Sequence, residues 1–154
     1  MGLDMYLNKE TYIGNKWKKP KEQAKIIIPK RQDKTSLPIK GIQTKRIQTL
    51  TEEIGYWRKA NAIHLWFVNN IQSGNDDCGT YDISREKIEE LLKICQKVKN
   101  DPTQASTLLP TTSGFFFGST SYDKYYFEDI ENTIEMLEEA LKEEGGDFTY
   151  HSSW

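Results

Sequence analysis

Residues 56–68 constrain the fold of this chain most, because the segment is apolar on almost every side yet carries Arg58, Asn61 and His64. An α-helix that is apolar all round is normally buried. Buried polar groups must be hydrogen-bonded or put to use. The pattern predicts a helix over residues 51–72, with Arg58, Asn61 and His64 facing the protein interior or the wall of a cleft.

The residue types around these three positions indicate a site for a nucleotide-like anion. Tyr56 and Trp57 can stack on a base, and the guanidinium of Arg58 can clamp a phosphate. Asn61 and His64 can read the polar edges of the same ligand. The alternative is that these polar side chains are hydrogen-bonded core residues and that the helix is a scaffold.

The segment 108–121 is the second candidate region, since two glycines bracket three phenylalanines and hydroxyl residues crowd both ends. The amides at a helix N-terminus bind anions readily. We therefore expect Ser119, Thr120 and Ser121 to bind phosphate at the start of the next helix, and Phe116 to belong to a stacking cluster. The alternative is a buried strand over 115–117 and an ordinary helix cap, because no lysine follows as it does in a P-loop.

The remaining periodicities predict one α+β domain over residues 1–154. Strands are expected over 2–13 and 148–154, and helices over 84–99 and 122–143. About three main helices should pack on a small, mostly antiparallel sheet built from the N- and C-terminal segments. A Lys/Pro-rich irregular insertion is expected at about 14–41.

Composition favours a cytoplasmic protein that works without a membrane, a metal ion or a cofactor. The chain is 36% hydrophobic and 29% charged. It contains no apolar run near the roughly 18 residues of a membrane span, and its N-terminus lacks a signal-peptide pattern. The cysteines and histidines are scattered, with no metal-ligand spacing. Cys95 lies on the apolar face of the helix at 84–99, which predicts a core position.

The net charge of −2 conceals a strong asymmetry along the chain. Residues 1–50 hold 12 Lys and Arg against 4 Asp and Glu, a net charge of +8, whereas residues 51–154 hold 9 against 19, a net charge of −10. A basic segment of this kind can bind nucleic acid. Nucleic-acid binding through residues 16–46 is kept as an alternative, although the lysines of 16–34 do not share one helical face.

Several blocks of the sequence resemble a family of small bacteriophage and prophage proteins. They cover most of the chain outside roughly 14–50: MGLDMYL at 1–7, GYWRKANAIHLWFV at 55–68, Asp77-Cys78, LPTTSGFFFGST at 109–120, Tyr122-Asp123 and YHSSW at 150–154. The resemblance implies a phage-encoded protein that acts in a bacterial host cell. Small phage accessory proteins often block host defences by sequestering a nucleotide signal or by binding a host protein.

Residues and resemblance together predict a non-catalytic binder that sequesters a nucleotide-like anionic ligand, such as a host immune signal. Two alternatives remain open. One is a protein–protein inhibitor of a host defence factor, or a DNA mimic, that uses the acidic surface of residues 123–147. The other is a phosphodiesterase or hydrolase centred on His64. The nucleotide binder and the protein–protein inhibitor could each also be a homo-oligomer.

Overall fold

A computed structural model describes residues 2–24, 27–29, 36–38 and 41–154 of the chain. Contacts divide the chain into two units. The larger unit is Met1–Lys9 with Glu52–Trp154, and the smaller unit is Glu10–Thr51. The irregular insertion expected at about 14–41 belongs to the smaller unit, and part of it lies outside the described residues.

The described strands form two sheets. A four-stranded antiparallel sheet has the order β4-β1-β6-β5, and a two-stranded antiparallel sheet pairs β2 with β3. The strand bounds are β1 (Asp4–Tyr12), β2 (Ile27–Pro29), β3 (Ser36–Pro38), β4 (Thr49–Arg58), β5 (Thr80–Ile83) and β6 (Asp147–Ser153). The first and last strands of the chain are therefore neighbours in the larger sheet.

The described α-helices are α1 (Asn61–Asn70), α2 (Arg85–Asn100), α3 (Ala105–Leu108) and α4 (Lys124–Lys142). Helices α2 and α4 pack against each other. The predicted α+β class is confirmed, with three longer helices and an antiparallel sheet that includes both terminal segments. Within the part of the chain that the structure describes, no helix has both the length and the apolar composition to cross a membrane.

The core of the larger unit lies between the sheet and its helices. Met5 and Leu7 of β1 and Leu3 just before it lie at every second position and are completely buried, as expected for one face of a strand. On β4, Gly55 permits a close approach of α4, because a Cβ atom there would lie 3.1 Å from the Met136 sulfur. Next to it, the Trp57 indole N–H donates to the Thr133 hydroxyl at 2.8 Å, which fixes α4 on the sheet.

The helix predicted over residues 51–72 is wrong in its first half. The chain forms β4 as far as Arg58, turns at Lys59, and becomes helical only from Asn61. Short apolar segments are ambiguous between helical and strand periodicity. The neighbouring strand decides the outcome, since the Lys59 amide donates to the Leu3 carbonyl at 2.7 Å.

The helices predicted over 84–99 and 122–143 are found within two residues of their expected bounds. Ser84 caps α2 by accepting a hydrogen bond from the Lys87 amide at 3.3 Å. Cys95 is fully buried on the inner face of α2, and burial raises the pKa of its thiol to about 12. Its predicted core position is confirmed.

Candidate functional site

A cavity of about 430 Å³ lies where β4 ends, α1 begins and the first half of α4 passes. We call it the β4–α4 cavity; it lies within the larger unit. Its volume is typical of small-molecule sites. Four of the predicted site residues line it: Arg58, Asn61, Ser119 and Ser121. Five do not line it: Tyr56, Trp57, His64, Phe116 and Thr120.

Two consecutive cations, Arg58 and Lys59, form one wall of the β4–α4 cavity. The Arg58 side chain is 62% exposed, and its Nε lies 3.9 Å from Oδ1 of Asp4, near the limit of an ion pair. The same oxygen accepts a hydrogen bond from the Tyr56 hydroxyl, which raises the pKa of Tyr56. Exposed ion pairs contribute little, so the charge of Arg58 is available to an anion.

Lys59 is held in a strained backbone conformation at the edge of the cavity. Its φ is +63°, in the left-handed region that a residue with a Cβ atom rarely adopts. Across from it, Gly118 has a φ of +90°, and a Cβ atom there would lie 3.1 Å from the Lys59 Cβ. Strain of this kind costs of order 1–3 kcal/mol and tends to cluster at ligand sites.

Asn61 fastens the segment before α4 to the start of α1. It is buried, and its Nδ2 donates to the carbonyls of Phe117 at 3.1 Å and Ser119 at 2.8 Å. Its Oδ1 accepts a hydrogen bond from the Thr112 amide at 3.1 Å. Both donors of the amide are therefore occupied. Asn61 shapes the cavity wall, and the reading of a ligand edge by this side chain remains a prediction.

His64 lies outside the cavity in a closed polar cluster. The ring is 1% exposed, with Nδ1 2.8 Å from the Tyr150 hydroxyl and Nε2 3.0 Å from Oδ2 of Asp76. A carboxylate can only accept, so Nε2 carries a proton and donates to Asp76. Burial raises the pKa of Tyr150 far above its usual value, which keeps the hydroxyl protonated. Phe117 packs edge-on against the ring at 5.2 Å.

The N-terminus of α4 is capped by the protein itself. The helix begins at Lys124, and Oδ1 of Asp123 accepts hydrogen bonds from the amides of Tyr125 at 3.0 Å and Tyr126 at 3.2 Å. An anion at this position would compete with a carboxylate. The expected phosphate site at the start of the helix is therefore unfavourable. The positive charge that lines the cavity comes from Arg58 and Lys59.

The segment before α4 differs from the buried strand that the alternative predicted over 115–117. Ser119 accepts a hydrogen bond from the Ser121 amide at 3.1 Å, and the Thr120 carbonyl accepts one from the Thr111 hydroxyl at 2.9 Å. Phe115–Phe117 is a turn and not a buried strand: Phe115 is 79% exposed, Phe116 is 41% exposed, and Phe117 is buried. The Phe117 amide closes this turn onto the Gly114 carbonyl at 3.3 Å.

The cavity also has an acidic wall. It is formed by three carboxylates, those of Asp123 at the cap of α4 and of Glu128 and Asp129 within the helix. Burial, helped by the charges of Glu128 and Asp123, raises the pKa of Asp129 to about 6. Among the described residues, no three acidic, histidine or cysteine side chains are arranged to hold a metal ion. The cavity therefore offers cations on one side and hydrogen-bond acceptors on the other.

The aromatic side chain available at the cavity is Tyr125, which is 73% exposed in the first turn of α4. Neighbouring Tyr126 is buried, and its hydroxyl donates to the Leu109 carbonyl at 2.8 Å. Sequence reasoning missed Lys59, Tyr125 and Asp129. The signal for Lys59 was its place beside Arg58, whereas the exposure of Tyr125 and the raised pKa of Asp129 depend on tertiary packing.

Comparison of the chain with protein-family models, with curated proteins and with solved structures finds no match.

Proposed function

We propose that the protein captures a small nucleotide-like anion in the β4–α4 cavity without transforming it. The observation that carries this proposal is the pair of exposed cations, Arg58 and Lys59, on the wall of a cavity of about 430 Å³. An Arg fork matches the oxygens of a phosphate, and a neighbouring Lys adds a point charge. The left-handed Lys59 supports the proposal, since backbone strain of this kind is found preferentially at ligand sites.

The three carboxylates of the cavity restrict which anions can bind there. A simple phosphate would be repelled by Asp123, Glu128 and Asp129, whereas a ligand that also donates hydrogen bonds would satisfy them. A base with two adjacent N–H groups, such as guanine, can donate both to one carboxylate, and Asp129 is partly buried and, unlike Asp123, does not cap the helix. Tyr125 would cover the base face. We therefore expect guanine nucleotides to bind more tightly than adenine nucleotides.

The biological role belongs to the same proposal. The sequence blocks that resemble small bacteriophage proteins support a protein that sequesters a host nucleotide signal in the bacterial cytoplasm. Capture of this kind requires a pocket and charge but no catalytic group. The burial of His64, whose two ring nitrogens are both hydrogen-bonded inside the protein, favours capture over hydrolysis.

Isothermal titration calorimetry tests the proposal with GMP, AMP, cyclic dinucleotides, cyclic trinucleotides and ADP-ribose. Arg58→Ala should weaken binding roughly 10- to 100-fold, because a hydrogen bond to a charged group is lost. Lys142→Ala is the matched control, since this exposed lysine lies in the last turn of α4. The bound ligand should be recovered intact by chromatography. No heat with any member of the panel would contradict the proposal.

The protonation of Asp129 supplies an independent test. Its carboxylate accepts hydrogen bonds from the base only when ionised, and its pKa is about 6. Affinity for a cyclic guanine dinucleotide, whose phosphodiesters do not titrate in this range, should therefore fall as the pH drops from 7.5 to 5, and Asp129→Asn should remove most of that dependence. A pH dependence that persists in Asp129→Asn would assign the titration to another group.

A further inference from the structure

A second, open groove of about 500 Å³ lies in the smaller unit, lined by Lys16, Trp17, Lys45, Arg46 and Gln48. The Trp17 side chain is 76% exposed, and the Lys16 ammonium lies 5.0 Å from the centre of its ring. Large apolar rings are normally covered in a folded protein. A tryptophan this exposed between three cations therefore requires an explanation.

Trp17 is exposed on a rigid frame. Asn15 is completely buried, and its Nδ2 donates to the carbonyls of Ala24 at 2.7 Å and Thr44 at 2.8 Å. Its Oδ1 accepts a hydrogen bond from the Ala24 amide at 2.9 Å, and its own amide donates to the Ile47 carbonyl at 3.0 Å. One side chain thus ties the short helical turn Asn15–Trp17 to the segment that carries Lys45 and Arg46.

The charge of the smaller unit favours an anionic partner. Residues 10–51 contain 11 Lys and Arg against 3 Asp and Glu, a net charge of +8. Cations neutralise phosphates, and an exposed aromatic ring stacks on a base. We propose that this groove, the Trp17 groove, binds single-stranded nucleic acid, with Trp17 stacking on a base and Lys16, Lys45 and Arg46 contacting phosphates.

The exposed ring of Trp17 favours a single strand over a duplex as the ligand. Bases in a duplex are stacked on each other, so their faces are closed to a protein side chain, whereas an unpaired base offers its face whatever its identity. Binding should therefore tolerate sequence and require an unpaired strand. RNA and DNA share this chemistry, and the experiment compares them.

Fluorescence anisotropy with labelled oligonucleotides of about 12 nucleotides tests the proposal. Oligo-dT, oligo-U and a DNA duplex of the same length are titrated with the full chain between about 50 and 200 mM NaCl. Both single strands should bind more tightly than the duplex. With three phosphate contacts, the logarithm of the binding constant should fall against the logarithm of salt with a slope of about −2. A preference between oligo-U and oligo-dT identifies the strand that is favoured.

Variants separate stacking from charge. Trp17→Ala should weaken single-strand binding by about 5- to 100-fold, while Phe115→Ala, an equally exposed aromatic of the larger unit, should leave it unchanged. Lys45→Ala should reduce the steepness of the salt dependence by about 0.7. Both aromatic variants should keep the wild-type circular dichroism spectrum and melting temperature.

Three results would overturn the inference: no binding of either single strand at the lowest salt, equal affinity for duplex and single strand, or equal affinity of Trp17→Ala and wild type. Vesicles that contain anionic phospholipid provide the competing partner, since Trp and Lys also favour a membrane surface. Vesicle binding without oligonucleotide binding would assign the groove to lipid. GMP binding in the β4–α4 cavity should be unaffected by Trp17→Ala.

Discussion

Two pairs of polar residues lie within seven positions of one another, and the structure treats them in opposite ways. Asn61 and His64 are buried, and every polar side-chain atom of both has a partner within the protein. Arg58 and Lys59 are exposed at a cavity. The comparison shows that a polar residue in an apolar segment gives no assignment by itself. What separates structural from functional polarity is whether the hydrogen-bonding and charge capacity has been used up inside the fold.

Asn61→Ala should give the largest loss of stability. The substitution leaves the Phe117 and Ser119 carbonyls and the Thr112 amide without their partner, which should lower the free energy of unfolding by about 2–4 kcal/mol. Urea denaturation followed by circular dichroism measures the change. Asn69→Ala, an exposed site on the same helix, should change it by less than about 0.5 kcal/mol. An equal loss of stability in Asn61→Ala and Asn69→Ala would show that the hydrogen bonds of Asn61 do not stabilise the fold.

Tyr150→Phe should give the next largest effect, a loss of about 1–2 kcal/mol, because Nδ1 of buried His64 loses its hydrogen-bond partner. A double-mutant cycle with His64→Phe measures the coupling. If His64 is structural, both variants should bind GMP with the wild-type affinity at a temperature where they remain folded. Loss of a ligand turnover activity in His64→Phe would instead support the hydrolase alternative.

Asp129→Asn should stabilise the protein at pH 7 by up to about 1 kcal/mol, after allowance for the solvent screening of a partly exposed group. The folded pKa, about 6, lies above the unfolded value near 3.9. The folded state therefore holds the proton more tightly, and the stability of the wild type should fall as the pH rises from 4 to 7. The difference from Asp129→Asn should vanish near pH 4.

Two substitutions of Lys59 separate its strain from its charge. Lys59→Gly relieves the left-handed conformation and should raise the free energy of unfolding by about 0.5–1 kcal/mol, whereas Lys59→Ala retains the strain and should leave it nearly unchanged. Both remove the ammonium group, so both should weaken GMP binding. Equal stability of the two variants would show that the position is unstrained.

Arg58→Ala should have the smallest effect on stability, below about 0.5 kcal/mol, since the side chain is mostly exposed and its contact with Asp4 is long. Its effect on ligand affinity should nevertheless be among the largest. Arg58→Ala should thus change ligand affinity much more than stability, whereas Asn61→Ala should change stability most. This contrast measures the difference between the exposed and the buried polar residues.

The elements that the sequence predicted well are those with a single periodicity. Helix α2 carries Ser84 as a cap and apolar residues on one face, and its buried residues are those of that face, so local pattern and tertiary burial agree. The prediction failed for residues 49–58, because their apolar positions fit both a helix and a strand. The pairing with β1, far away in sequence, settled the matter, and no local window contains that information.

The candidate site shows the same contrast between what residue type predicts and what tertiary packing decides. Arg58, Asn61, Ser119 and Ser121 were found from residue type and do line one cavity. His64 was grouped with them on the assumption of one continuous helix from residue 51, and its distance from the cavity follows from where α1 packs. The function predicted for these residues stays a proposal.

The sequence by itself determined that most apolar residues of 57–68 enter the core and that any polar side chain buried with them needs a partner, because burial of apolar surface and satisfaction of polar groups follow from residue type. Only the tertiary structure decided which polar groups would be paired. Asn61 meets carbonyls more than fifty residues away, and His64 meets Tyr150. Arg58 and Lys59, at the turn between strand and helix, remain exposed at the cavity.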